Sequence, residues 1–136
     1  MSNLPAVQAI YEAFGRGDVP AILERIADDV DWERNGVDHG VPWLTPGRGK
    51  AQVAAFFQSL AATEIGKFAP TNMLEGGNQV VAVIDIELTV KATGATIRDE
   101  ELHLWTFGPD GKVTAFRHVV DTAQHVAAVK GQAASA

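Results

Sequence analysis

Arg98–Asp121 reads RDEELHLWTFGPDGKVTAFRHVVD, and this stretch decides the fold. Two β-patterned runs flank Gly108-Pro109-Asp110-Gly111, residues that close a hairpin turn. Side chains alternate along a strand. Glu101, His103 and Trp105 therefore share one face of the first run, and Phe116, His118 and Val120 share one face of the second. Two histidines and an acid set among aromatics predict a lined cavity rather than a plain core.

Upstream, Gln79–Val90 alternates just as cleanly, which predicts a strand with one dry face and one partly wet face. Phe68–Leu74 reads as a strand interrupted at Pro70 and Thr71, ending in a turn over Glu75–Asn78. Val53, Phe56, Phe57 and Leu60 mark a helix over Lys50–Ala62. Before it, Asn35–Gly49 is too rich in Gly and Pro for regular structure. It is expected as a surface loop whose Trp43 and Leu44 fold over a cavity mouth, with His39 beside them. Val30–Arg34 begins a short strand. At the start, Val7, Ile10, Tyr11 and Phe14 fall on one helix face, and Gly15 and Gly17 stop that helix. Asp18 can cap a second helix with Pro20 in its first turn. Leu23, Ile26, Ala27 and Val30 keep helical spacing and predict that it runs on. The order α-α-β-α-β-β-β-β predicts an α+β architecture, helices on one face of a curved sheet.

The chain has 136 residues, net charge −6 and no cysteine. That length predicts one domain, placed at residues 1–122, with an Ala-rich tail at 123–136 that is partly disordered or a short helix. Scattered basic residues argue against a nucleic-acid partner. Without cysteine there is no disulfide and no thiolate chemistry. Neither a membrane-length apolar run nor a secretion signal is present, so no membrane partner and a cytoplasmic location are expected. Glycine-rich phosphate loops, dinucleotide fingerprints and HExxH are also missing.

The runs YEAFGRGDVPAILERIADDVDWE, GVPWLTPGRGKAQVAAFF and LWTFGPDGKVTAFRHVVD together resemble the SnoaL-like polyketide cyclases. These belong to the nuclear transport factor 2-like superfamily, with ketosteroid isomerase and limonene-epoxide hydrolase as relatives. The resemblance implies a cone-shaped sheet wrapped on three N-terminal helices, a pocket between them, and a homodimer. It also implies where this chain departs from two known activities. The oxyanion-donor position of ketosteroid isomerase falls on His103, its general base on Arg34, and its tyrosine on Ile10 beside Tyr11. One catalytic aspartate of the epoxide hydrolase falls on His118.

His103 and His118 are accordingly the candidate acid–base pair, since imidazole exchanges protons near neutral pH. Glu101 could orient either ring, and Asp121 reaches the site only if the strand end bulges. Trp32, Trp43 and Trp105 are the large candidate binding surfaces, with Tyr11, Arg34, Phe56, Ile84 and Phe116. Glu101 with both histidines has the chemistry of a metal set, but neither metal nor cofactor is expected. Val81, Val83, Leu102 and Leu104 lie on the opposite sheet face, where a second copy would cover them. The expected function is binding of a small, largely apolar molecule, with enolisation, cyclisation, isomerisation or hydration as candidate reactions. The alternative is a non-catalytic binding or accessory protein using the same pocket.

Overall fold

The computed structural model describes residues 2–131. Helix α1 spans Leu4–Gly15 with a proline in its first turn, and buries Val7, Ile10 and Ala13. Helix α2, Val19–Leu23, is capped by the Asp18 side chain, which accepts from the Ala21 N–H. Helix α3 spans Lys50–Ser59. The strands are β1 Ile26–Trp32, β2 Gly47–Arg48, β3 Thr63–Gly76, β4 Gln79–Val90, β5 Thr96–Phe107 and β6 Val113–Val119. Helix α4, Thr122–Val129, follows the last strand. Among the described residues no helix is long and apolar enough to cross a membrane.

The strands form one sheet in the order β2-β1-β6-β5-β4-β3. Only β1 and β6 run parallel; every other neighbour is antiparallel. The expected cone is corrected here, because the sheet is open. A closed sheet needs its two edge strands to pair, and β2 and β3 are edges that do not. At two residues, β2 has few backbone groups with which to extend any pairing. The α+β arrangement with N-terminal helices stands.

A second correction concerns Ile26, Ala27 and Val30, which belong to β1 and not to α2. Ile26 pairs with Val113 and Asp31 with Ala115, so the register against β6 slips between them. Residues four apart share a face in a strand as they do in a helix, and Ile26 and Val30 are both buried. Their i, i+4 spacing imitated a helix face. The loop after β1 is also less superficial than its composition suggests. Val41, Trp43 and Leu44 are buried, and Pro42–Leu44 forms a turn of 3₁₀ helix. Strand β3 is longer than Phe68–Leu74, and Pro70 is accommodated at a bulge on this edge strand, where a missing N–H costs no pairing.

The dry face of β4 carries Val80, Ala82, Ile84, Ile86, Leu88 and Val90, as the alternation predicts. Two apolar clusters fill the space under the helices. One joins α1 to β1, β6 and the Trp105 end of β5; the other joins β4 to Val41, Trp43, Leu44 and Ala128. Tyr11 and Phe56 pack against both, and a cavity lies between them.

Candidate active site

The hairpin register sets the centre of this cavity. His103 of β5 stands directly opposite His118 of β6, and Trp105 stands opposite Phe116. The two imidazole rings meet edge to face with centroids 4.8 Å apart. The cavity measures about 70 Å³, several times the ~10–15 Å³ that one water molecule needs. Its wall is mostly aromatic and aliphatic, with Glu101, His103, His118 and His125 as the titratable exceptions besides Tyr11.

Each central histidine has its own buried carboxylate. His103 Nε2 lies 2.8 Å from Glu101 Oε2, with the two residues 5% and 3% exposed. Glu101 fixes the tautomer, and Tyr11 completes it. Trp105 Nε1–H donates to the Tyr11 oxygen at 3.0 Å, and the Tyr11 hydroxyl lies 2.7 Å from His103 Nδ1. An ionised carboxylate can only accept, so the proton of the neutral His103 ring sits on Nε2, donated to Glu101, and the phenol hydrogen goes to the bare Nδ1. Burial pushes the His103 pKa down and the nearby His118 charge adds to this, against the opposing pull of Glu101. His103 is therefore the neutral ring. Burial also pushes the Tyr11 phenol well up, which keeps its hydrogen in place.

His118 is the reverse case. Its Nδ1–H donates to Glu33 Oε1 at 2.5 Å, and Glu33 also accepts the His118 backbone N–H at 3.2 Å. Burial opposes a charge on this ring, but the Glu33 charge and hydrogen bond, helped by Glu101, outweigh it and raise the His118 pKa above 6.5. Among the described residues the ring's hydrogen bonds run through Nδ1, which leaves Nε2 for the cavity. Glu101 would be pushed up by burial, yet the hydrogen bond from His103 and the His118 charge hold it below 4.5. Neighbouring groups whose pKa values are driven apart mark acid and base roles.

Glu33 is the residue that the sequence did not reveal. It is 5% exposed and has φ 57°, the left-handed region that costs a non-glycine residue roughly 1–2 kcal/mol. This conformation breaks strand alternation, so Trp32 and Glu33 are both buried. Arg34, where a family base would fall, is exposed and lies against the other sheet face beside Leu104 and Arg117. Its backbone N–H donates to Phe116 O and its carbonyl accepts from Arg117. The carboxylate of this site thus comes from the preceding residue.

Of the other candidates, Tyr11, Trp32, Trp43, Phe56, Trp105 and Phe116 line the cavity. Ile84 is fully buried in the second cluster, outside the lining. Asp121 is exposed, and its side chain caps α4 by accepting from the Gln124 N–H. His39 is exposed on the loop. Helix α4 adds His125, which sequence reading left in the tail. The signal was present, since Asp121-Thr122-Ala123-Gln124 has the spacing of a capping box.

Glu101, His103 and His118 each offer a ligand atom within 4.8 Å of one another. Two imidazoles and a carboxylate suit zinc or iron, and Glu33 stands behind His118 as an outer carboxylate would. In the arrangement described, however, His103 Nε2 already carries the proton it donates to Glu101. A cation would have to displace that proton.

The SnoaL-like domain model matches residues 7–116. This protein belongs to the SnoaL-like domain family. That family lies within the nuclear transport factor 2-like superfamily. An NTF2-like protein of unknown function from Burkholderia pseudomallei K96243 is 28% identical, covers 95% of this chain and 98% of its own, and superposes with a TM-score of 0.79. An NTF2-like protein from Burkholderia xenovorans LB400 is 30% identical, with 93% and 94% covered and a TM-score of 0.80. TerC, co-crystallised with polyporic acid, is 24% identical, with 94% and 98% covered and a TM-score of 0.73. Other chains of this fold are named for isomerase or polyketide cyclase activity. No curated protein matches.

Proposed function

We propose that this SnoaL-like protein binds a small, mainly apolar carbonyl compound and catalyses proton transfer on it without a cofactor. The observation that carries this reading is the pair of facing histidines, each bonded to a buried carboxylate and driven to opposite protonation states. In an enolisation, the free Glu101 oxygen takes a proton from the carbon next to the carbonyl. His118 Nε2–H hydrogen-bonds to, or protonates, the carbonyl oxygen as it gains charge. Glu33 keeps His118 cationic and aimed; the Trp105–Tyr11–His103 chain keeps Glu101 ionised and aimed. Returning the proton at another carbon is isomerisation, and attack of the enolate on a second carbonyl is cyclisation. Co-crystallisation of TerC with polyporic acid supports a small molecule as ligand.

The test is exchange of α-protons for deuterium in D₂O, followed by NMR on small cyclic ketones such as 2-tetralone. Exchange above the buffer rate is expected, and it should be lost in His118→Ala and Glu101→Gln. A rate that survives both substitutions rules out these roles. Binding with no exchange at any pH favours the non-catalytic alternative. Glu101 must be ionised and its pKa is held below 4.5, so activity falls only as pH drops past that lowered value. His118 must be protonated and its pKa is raised above 6.5, so activity falls as pH climbs through the raised value. A broad bell spanning both is expected; a rise through the neutral range would instead make His118 the base.

The outer sheet face, with half-buried Val81, Val83, Leu102 and Leu104, is proposed as the contact with a second copy. Val83→Lys combined with Leu104→Glu should turn a dimer into a monomer in light scattering. An unchanged mass places the interface elsewhere.

A further inference from the structure

The family match ends at Phe116, before α4, yet α4 contributes to the cavity wall. His125 is 2% exposed and lies on that wall. Trp43 Nε1–H donates to His125 Nδ1 at 2.9 Å. Because the indole only donates, Nδ1 is the bare nitrogen and Nε2 carries the ring proton. Burial pushes the His125 pKa down, in keeping with a neutral ring. Nε2 itself has no hydrogen-bond partner among the described residues. A buried N–H without an acceptor is costly and rare, and this one belongs to a residue of the cavity wall.

We propose that His125 positions the bound molecule by donating its Nε2–H to a neutral acceptor oxygen, such as a second carbonyl, at the α4 end of the cavity. This rests on the small-molecule reading above and narrows the ligand class. Among the described residues no lysine or arginine lines the cavity, and the charge on His118 is already paired with Glu33, so a carboxylate placed against neutral His125 would lie without a free counter-charge. An amine or hydroxyl hydrogen would meet another donor. A neutral oxygen accepts the N–H at no charge cost. The ligand is then an apolar body with oxygens at two ends, one for His118 and one for His125. Trp43 acts through His125 as the residue that sets its tautomer.

1,4-Naphthoquinone and naphthalene are matched probes, and the chain has no cysteine for the quinone to alkylate. In ¹H–¹⁵N NMR of the free full-length protein, His125 is expected as the Nε2–H tautomer. The quinone should move that Nε2–H resonance downfield, and naphthalene should leave it in place. The quinone should also bind more tightly than naphthalene, with the preference falling about fivefold in His125→Phe and partly restored in His125→Gln, as one neutral hydrogen bond implies. An Nδ1–H tautomer, or a preference that survives His125→Phe, overturns the proposal. If both probes bind wild type equally, His125 has no such role while the pocket reading stands. If neither binds, both fall. The NMR result holds even if the Phe variant fails to fold.

Discussion

Glu33→Gln is expected to slow turnover by about 10²–10⁴-fold, the usual weight of an acid–base group and its orienting carboxylate. Glutamine has nearly the shape of glutamate, and its carbonyl can still accept from His118 Nδ1–H. What disappears is the negative charge. The Glu33 charge and hydrogen bond are the main influences that raise the His118 pKa against burial, so without the charge burial prevails and the ring loses its proton near neutral pH. The acid is then missing at the pH where it is needed. Two measurements check this. The exchange rate should fall in Glu33→Gln, and the alkaline limb of the pH profile should move to lower pH. Glu33→Asp keeps the charge at a shorter reach and should retain part of both. A limb that stays in place would mean that Glu33 does not control His118.

Trp32→Ala is expected to cost about 3–5 kcal/mol of stability. Trp32 is 2% exposed, stacks on Phe116 with centroids 4.3 Å apart, and meets Phe56 at 5.5 Å. Removing it opens a hole where the β1–β6 core meets the cavity. One effect runs the other way. Its buried Nε1–H has no partner among the described residues, a cost of about 1–3 kcal/mol that alanine abolishes, so the loss should fall at the lower end. Trp32→Phe removes the same N–H with a smaller hole and should stay within about 1 kcal/mol of wild type. Urea unfolding midpoints decide between the two. Equal, large losses in both variants would mean that the indole N–H has an acceptor after all.

Much of this molecule was legible in its sequence because strand alternation is a strict rule where pairing is regular. The period of two in Gln79–Val90 and Arg98–Val119 placed Glu101, His103, Trp105, Phe116 and His118 on one face, and the hairpin turn set His103 opposite His118. The rule failed where the backbone departs from regular geometry. In β1 the failure was of another kind: Ile26 and Val30, four residues apart, share a face in a strand as well as in a helix, so spacing could not separate the two. A positive φ at Glu33 turned an acid inward beside an arginine that a strict count would have chosen, and nothing in the residue type marks that conformation as glycine or asparagine would. His125 was hidden differently. Its role depends on Trp43, 82 positions away in the chain, and no local pattern carries such a contact. The openness of the sheet was equally invisible, since it depends on whether β2 and β3 meet.

The proposed chemistry depends on two facing histidines that hold opposite charge states because each answers to a different carboxylate. Histidine imidazole ¹⁵N shifts followed from pH 5 to pH 9 test it most directly. His118 is expected to stay protonated past pH 6.5, while His103 remains neutral with its hydrogen on Nε2 and shows no transition at or above that pH. A His118 that loses its proton below pH 6.5, or a His103 that titrates above it, would rule out these opposite charge states.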